Sequence, residues 1–406
     1  MSFGLPLGPQ HRVYAAFTIY AFSMGNIFPR FPDIKAAMGV QEGAFGLSLI
    51  GTPTGTLISL TIAAPFLERI GFRRALLALI PLVALTFAIA SHAPSPLAFF
   101  FLLVPVGIML GCVEIILNVE ADRTEFLIGR RIMNRAHSFW SIGFFSAGIF
   151  GGLVAQAGIS PQLHLALIVP IAIVGVALFL GGYQPSPKRE VASDAEAPRF
   201  VRPTIAILVL VGTTLSALLL EGASLDWSAI YMRSIFESGP LMAALAVATF
   251  AFCQATTRFF ADGFVERYSP SGVARSMTVV MAIGVLFVYF SPHPLVSLAG
   301  FALLGIGSAT IFPLAISAAA QRTDRPGAIN VASLTQLSFG AFLLGPPLLG
   351  FVAEHWGIRA AFGVAVPLVL LTFIAAPALG GRPIRKDGPP GDGDVVARAS
   401  AHQESY

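Results

Sequence analysis

Residues 111–123 read GCVEIILNVEADR, and within them Glu114 and Asn118 stand four positions apart in an otherwise apolar run. On a helix that spacing places a carboxylate and an amide on one face. A charged carboxylate at the centre of a membrane span costs about 2.5–3.5 kcal/mol. Keeping a Glu protonated at pH 7 corresponds to about 3.7 kcal/mol, at 1.36 kcal/mol per unit. The two magnitudes match, so a dry Glu114 is expected to be neutral and a wetted or partnered one ionised. A site whose exposure alternates would then bind and release a proton. The competing reading is a permanently protonated, structural Glu bonded to a neighbouring helix.

Other polar residues sit in apolar surroundings. EGASLDWSAIYMR holds Glu221, Asp226 and Trp227. Glu221, Ser224 and Ser228 share a helical face, while Asp226 and Trp227 suit an interfacial helix end. Glu221 is expected in the outer half of the membrane, as a second site acid. His137, Trp140 and Ser141 follow helical spacing: Trp140 suits stacking on a sugar ring and His137 bonding to hydroxyls, with helix packing as the alternative. Gln254 and Gln336 donate and accept at once, which suits hydroxyl-rich ligands and equally suits interhelix bonds. The Gly51–Gly55 and Gly107–Gly111 spacings read as close helix packing.

The elements that must position these groups follow from composition. The chain has 406 residues, 55% hydrophobic and 11% charged, with a mean hydropathy of +0.78. Soluble domains carry about 25% charged residues. An all-α integral membrane protein is expected, because apolar runs this long satisfy their backbone in lipid as helices. Twelve spans are predicted near 12–31, 44–65, 75–93, 96–119, 133–156, 163–182, 204–225, 240–261, 276–291, 294–319, 328–353 and 357–378. The N-terminal MSFGLPLGPQHR lacks a small-residue cleavage site, so the first apolar segment is expected to remain as a span. Cys112 and Cys253 lie in apolar segments and read as small packing residues.

With the N-terminus placed inside, 21 of the 25 Lys and Arg residues fall in inner segments. The positive-inside rule then sets both termini in the cytoplasm, and a bacterial inner membrane is the expected location. Residues 183–203, rich in Pro, Ser and charge, read as a cytoplasmic linker, and 380–406 as a disordered tail. The flanking segments, 1–182 and 204–379, look like copies. Glu68-Arg69 and Glu266-Arg267 are offset by 198, Ser141-x-Gly-x4-Gly and Ser338-x-Gly-x4-Gly by 197, and Asn134 and Asn330 by 196. Two pseudo-symmetric six-helix bundles follow, with a solute cavity between them near the midplane.

The loop LERIGFRRA resembles the loop signature of the major facilitator superfamily, Gly-x-x-x-Asp-Arg-x-Gly-Arg-Arg, with Glu68, Arg69, Gly71, Arg73 and Arg74 in the matching positions. The second copy keeps Glu266 and Arg267, with Arg258 and Asp262 upstream. These eight charged residues are expected to form an ion-pair latch at the cytoplasmic helix ends, as well as fixing topology. GCVEIILN also resembles the fourth span of the fucose–proton symporter family, Gly-Cys-x-Glu-x-x-x-Asn. On that resemblance Glu114 takes the place of the proton-linked, sugar-contacting glutamate and Asn118 that of its asparagine. Asn26 stands in the region where that family has a first-span aspartate. FPRFPDIKAAMGVQEGAFGLSLIG and EGASLDWSAIYMR resemble a poorly characterised bacterial facilitator group related to those permeases.

No Gly-x4-Gly-Lys-Ser/Thr, His-Glu-x-x-His, Gly-x-Ser-x-Gly or paired-Cys motif occurs, so no enzyme, metal or cofactor chemistry is expected. Nor do the dispersed basic residues make a nucleic-acid-binding face. The expected function is secondary transport of a small polar solute, sugar or sugar-like, driven by protons. The partners are that solute, protons and the lipid bilayer. One chain holds a complete path and is expected to work as a monomer. Proton-driven efflux of amphipathic compounds is the alternative within transport. A non-transporting membrane sensor or scaffold is the alternative of another class.

Overall fold

The computed structural model describes residues 5–130, 132–187 and 202–380, without the side chains of Ala64, Asn134, Asp262 and Ala328. Most of the predicted linker, the whole 381–406 tail and Arg131 lie outside the described residues. Within them every regular element is helical. Twelve helices cross: α1 Pro9–Gly25, α2 Glu42–Ile62, α3 Phe72–Ala90 and α4 Pro96–Ile128, then α5 Met133–Gln156 and α6 Pro161–Leu180. The second set is α7 Ile205–Asp226, α8 Pro240–Tyr268, α9 Pro270–Phe290, and α10 Pro294–Ala320, α11 Ile329–Trp356 and α12 Ile358–Leu379. Eleven of the twelve contain a stretch long and apolar enough to cross a membrane; α1, at 17 residues, is the short one.

Proline marks where many of these helices begin. Pro9, Pro96, Pro161, Pro240, Pro270 and Pro294 each open a helix, where the missing N–H costs nothing and the fixed φ suits the first turn. Ser95 and Ser160 cap the free amides of α4 and α6 by accepting from Ala98 and Leu163. One boundary corrects the sequence reading. The α7 helix does not end at the Asp226–Trp227 step but turns there and continues as Ser228–Phe236. Glu221 lies about 24 Å from Ile205 and about 22 Å from Phe236 along the two helices at 1.5 Å per residue, and five residues before the end of the apolar span at Asp226.

Both halves use the same pairings. Helix α1 packs on α5, α2 on α4 and α3 on α6; α7 packs on α11, α8 on α10 and α9 on α12. Glycines set the α2–α4 distance. A Cβ on Gly55 would lie 2.0 Å from the Val104 carbonyl oxygen, and one on Gly107 2.0 Å from that of Thr52. Between the halves, α5 lies along α8 and the first turns of α2 lie against the end of α11. Gly148 and Gly152 approach Ala248 and Ala244, and Gly46 meets Gly350. These close approaches gather toward the face opposite the termini. Past the Phe145–Phe252 ring contact, 5.1 Å between centroids, toward the arginine-rich terminal face, His137 and Arg258 of opposite bundles are exposed, which we read as a cleft between the bundles.

Candidate functional site

One wall of the cleft belongs to α1, α4 and α5. Asn118 donates to the Glu114 carbonyl at 2.9 Å and to its Oε2 at 3.3 Å, so the i,i+4 spacing brings the two side chains together. The Asn118 Oδ1 faces His137 Nε2 at 3.2 Å. From α1, the buried Tyr20 hydroxyl bonds the Glu114 carboxyl group, and Phe17 meets the His137 ring edge-on at 5.1 Å. The chain Tyr20–Glu114–Asn118–His137 thus runs from the bundle interior to an exposed imidazole. Each member can pass from donor to acceptor except the amide, whose two ends differ.

The facing wall is built by α7, α8 and α10. Arg258 Nη2 donates to Glu221 Oε2 at 3.3 Å. Its Nε donates to the Ala309 carbonyl at 3.1 Å. That carbonyl is available because the residue four positions on, Pro313, has no N–H to donate, and α10 is interrupted there at Ala309–Thr310, between Ser308 and Ile311. Non-helical backbone at membrane depth persists where it lines a polar cavity. Arg258 is 41% exposed and Glu221 18%. The guanidinium lies close enough to His137 for their charges to interact, so the two polar walls face each other.

Arg258, assigned to a cytoplasmic latch, pairs with Glu221 of its own bundle and stands three residues before the end of the apolar span at Ala261. It lies ten residues before the end of α8 at Tyr268, about 15 Å along the axis. Asp262, its expected neighbour, has no described side chain. Of the remaining latch residues, Arg73 and Arg267 make contacts within their own bundles. Arg73 donates to the carbonyls of Tyr183 and Gly181, tying α3 to the end of α6. Arg267 lies over the Tyr268 ring. Glu68, Arg69, Arg74 and Glu266 sit on the open terminal face, and Glu68 has a partner there.

Other candidates lie elsewhere. Asn26 is 0% exposed and bonds His164 of α6 at 3.0 Å and the Phe22 carbonyl at 2.7 Å. It joins α1 to α6 away from the cleft, a correction to its placement as a site residue. Trp140 stacks on Phe144 at 5.2 Å, so one ring face is already covered. Gln254 is buried and donates to Ser308 at 3.3 Å between α8 and α10. Gln336 is exposed on α11 and engaged by a neighbour.

Sequence reasoning missed the closure of the far face. Asp33 sits between Arg30, at 3.3 Å, and Arg233 of the other bundle, at 3.6 Å. Glu354 at the end of α11 accepts from the Gly43 amide in the first turn of α2 at 2.8 Å. Gln156 at the end of α5 accepts from the Leu241 amide at the start of α8 at 3.4 Å. Both amides belong to helix N-termini, where backbone donors lack intrahelical partners. Beneath them Phe45 meets the fully buried Trp227 edge-on at 6.1 Å. The only sequence signal was a glutamate or glutamine ending a span.

The comparisons agree with this architecture. The model of the Major Facilitator Superfamily matches residues 209–400. An uncharacterized MFS-type transporter of Yersinia pestis is 26% identical, covering 89% of this chain and 93% of its own. An uncharacterized transporter of Sinorhizobium fredii is 28% identical over 92% of this chain and 98% of its own. The crystal structure of the nucleoside transporter NupG superposes with a TM-score of 0.71 at 14% identity, covering 92% of this chain and 98% of that one. That last likeness is one of fold.

Proposed function

Starting from the chain's membership of the major facilitator superfamily, whose members are transporters and not enzymes, we propose that it moves a small polar, sugar-like solute across a bacterial inner membrane by proton-coupled alternating access. Both termini face the cytoplasm in this reading, which follows from the arginine-rich terminal face. The structure described is then open to the cytoplasm and closed outside.

The observation that carries the reading is the Tyr20–Glu114–Asn118–His137 chain facing the Glu221–Arg258 pair across the cleft. It supplies an acid whose surroundings change from watery to dry as the bundles rock, and hydroxyl-compatible donors and acceptors beside it. In the inward-open state water reaches the cleft and lets Glu114 release its proton. Closure on the inner side returns it to apolar surroundings, which favour the neutral acid.

The test uses purified protein in proteoliposomes. Sugars, polyols, nucleosides and amino acids are screened by thermal stabilisation, and those that stabilise are assayed for uptake under an imposed pH gradient. Glu114→Gln is expected to abolish accumulation driven by the gradient and to leave solute exchange intact. Wild-type accumulation by that variant would remove Glu114 from the coupling.

A further inference from the structure

We infer that the cleft selects solutes carrying an anionic group, and that such a group displaces Glu221 from Arg258 while Glu221 takes up a proton. This deepens the transport reading above and rests on it, since it names the class of solute and the group that anchors it.

Three observations carry the inference. The first is exposure. A guanidinium serving only to hold α7 to α8 would be sealed in the bundle; Arg258 is 41% exposed, on a helix that crosses the membrane, and is the more accessible member of its pair. The second is orientation. Nε is held by the Ala309 carbonyl and Nη2 by Glu221, and Nη1 has no bond among the described residues. The backbone contact fixes the plane of the fork without neutralising its charge. An arginine positioned in this way presents the paired donors that a carboxylate or phosphate oxygen pair fits. The third is what faces it. Across the cleft stand His137 and Asn118, with Glu114 behind them. A ligand spanning the two walls meets amide and imidazole at one end and the guanidinium at the other. A hydroxylated carboxylate has that distribution of groups.

The exchange balances. Before binding, Arg258 and Glu221 cancel. An incoming anion takes the place of Glu221 on the guanidinium, and the released carboxylate, left without its cation and beside the charge of the bound anion, is costly unless it gains a proton. One anion and one proton enter together, and the net charge of the site does not change. No covalent bond forms other than the O–H on Glu221. A cationic solute would have to use the less accessible carboxylate and leave Arg258 beside its own charge, so the anion is favoured.

The experiment is equilibrium binding to the full-length protein in detergent, with no gradient, so it is independent of whether Glu114 couples transport. The probes are hydroxylated monocarboxylates of three to seven carbons, gluconate among them, with their neutral polyol and aminopolyol counterparts. Binding is read by calorimetry, and proton uptake by a pH dye in weak buffer near pH 7.5. At least one carboxylate is expected to bind ten-fold or more tightly than its neutral counterpart, with close to one proton taken up per ligand. Arg258→Gln should weaken that binding at least ten-fold, and Arg258→Lys should restore part of it. Glu221→Gln, which relieves the competition, should bind the carboxylate at least as tightly as wild type and take up no proton.

Carboxylates that bind no better than polyols, aminopolyols that bind best, or a complete absence of carboxylate binding would each overturn the inference. So would wild-type affinity in Arg258→Gln. Normal thermal unfolding of the Arg258→Gln/Glu221→Gln pair, which removes both charges, separates loss of the site from loss of the fold. Neutral solutes accumulating through Glu114 with no carboxylate bound would leave the transport reading standing and this one refuted.

Discussion

Asp33 of the first bundle reaches Arg233 of the second at 3.6 Å, and it does so while holding the buried Arg30 at 3.3 Å. One carboxylate thereby joins the short helix Phe31–Met38 after α1 to the helix Ser228–Phe236 that follows α7. Its partners differ in setting: Arg30 is buried, at 2% exposure, whereas Arg233 is 37% exposed. The Arg30 pair lies within its own bundle, and the Arg233 pair joins the two bundles at the face opposite the termini.

The contribution of the Asp33–Arg233 pair to closure follows from that asymmetry. An exposed ion pair is worth up to about 1 kcal/mol, about a five-fold change in population. Arg233→Glu, which replaces attraction with repulsion, is expected to raise labelling of a cysteine placed at the buried Ala248 by several-fold, in a background with Cys112 and Cys253 replaced by Ser. The reagent is an impermeant maleimide added from outside. Unchanged labelling would show that closure does not depend on the pair.

The amide in the first wall has a separate consequence. Asn118→Ala removes the acceptor facing His137 and the donor to Glu114. Net hydrogen bonds contribute about 0.5–1.5 kcal/mol, so the KM of a transported solute is expected to rise by up to about ten-fold with gradient-driven accumulation retained. Uptake kinetics in proteoliposomes decide this, and an unchanged KM would place Asn118 outside the solute path.

Packing inside the first bundle depends on backbone contact between α2 and α4. Any side chain at Gly55 meets the Val104 carbonyl, and overpacking of this kind costs about 1–3 kcal/mol. Gly55→Val should lower the thermal unfolding temperature in detergent by several degrees, whereas Gly212→Ala, on α7 with a Cβ in ordinary contact with Leu371, should not. Equal effects would show that the α2–α4 seam carries no special constraint.

Outside the membrane, Asp324 offers a pH dependence. Arg322 and, next, Asn330 bond its carboxyl group and hold its pKa below the ordinary aspartate range. A depressed value means that the stabilisation is present above the unfolded value, about pH 3.9, and is lost as the pH falls through the lower folded value. A spin label at Thr323 should therefore be ordered at pH 7 and loosen below about pH 4. With Asp324→Asn it should be loose at both, and a wild-type label indifferent to acid would refute the assignment.

Helix positions were legible because each span carries its own apolar run, and many add a proline at the first turn or glycines where backbones meet. Glu114 and Asn118 were legible as neighbours because four residues of helix separate them. Glu221 and Arg258 were not, since 37 positions lie between them and only the packing of α7 on α8 brings them together. Counting Arg258 as a loop charge treated a basic residue near a span end as interfacial. It hid an arginine whose second anchor is the Ala309 carbonyl, left free by the missing N–H of Pro313. The place of Asn26 against His164 was likewise invisible without the third dimension.

The meeting of Gly46 with Gly350 has a mechanical consequence. A seal made of main chain against main chain has nothing that can rotate aside by itself, so the far entrance opens only when whole bundles swing. Passage in that direction is tied to the slow rocking of rigid bodies. In the proposed cycle a solute would then cross once per swing.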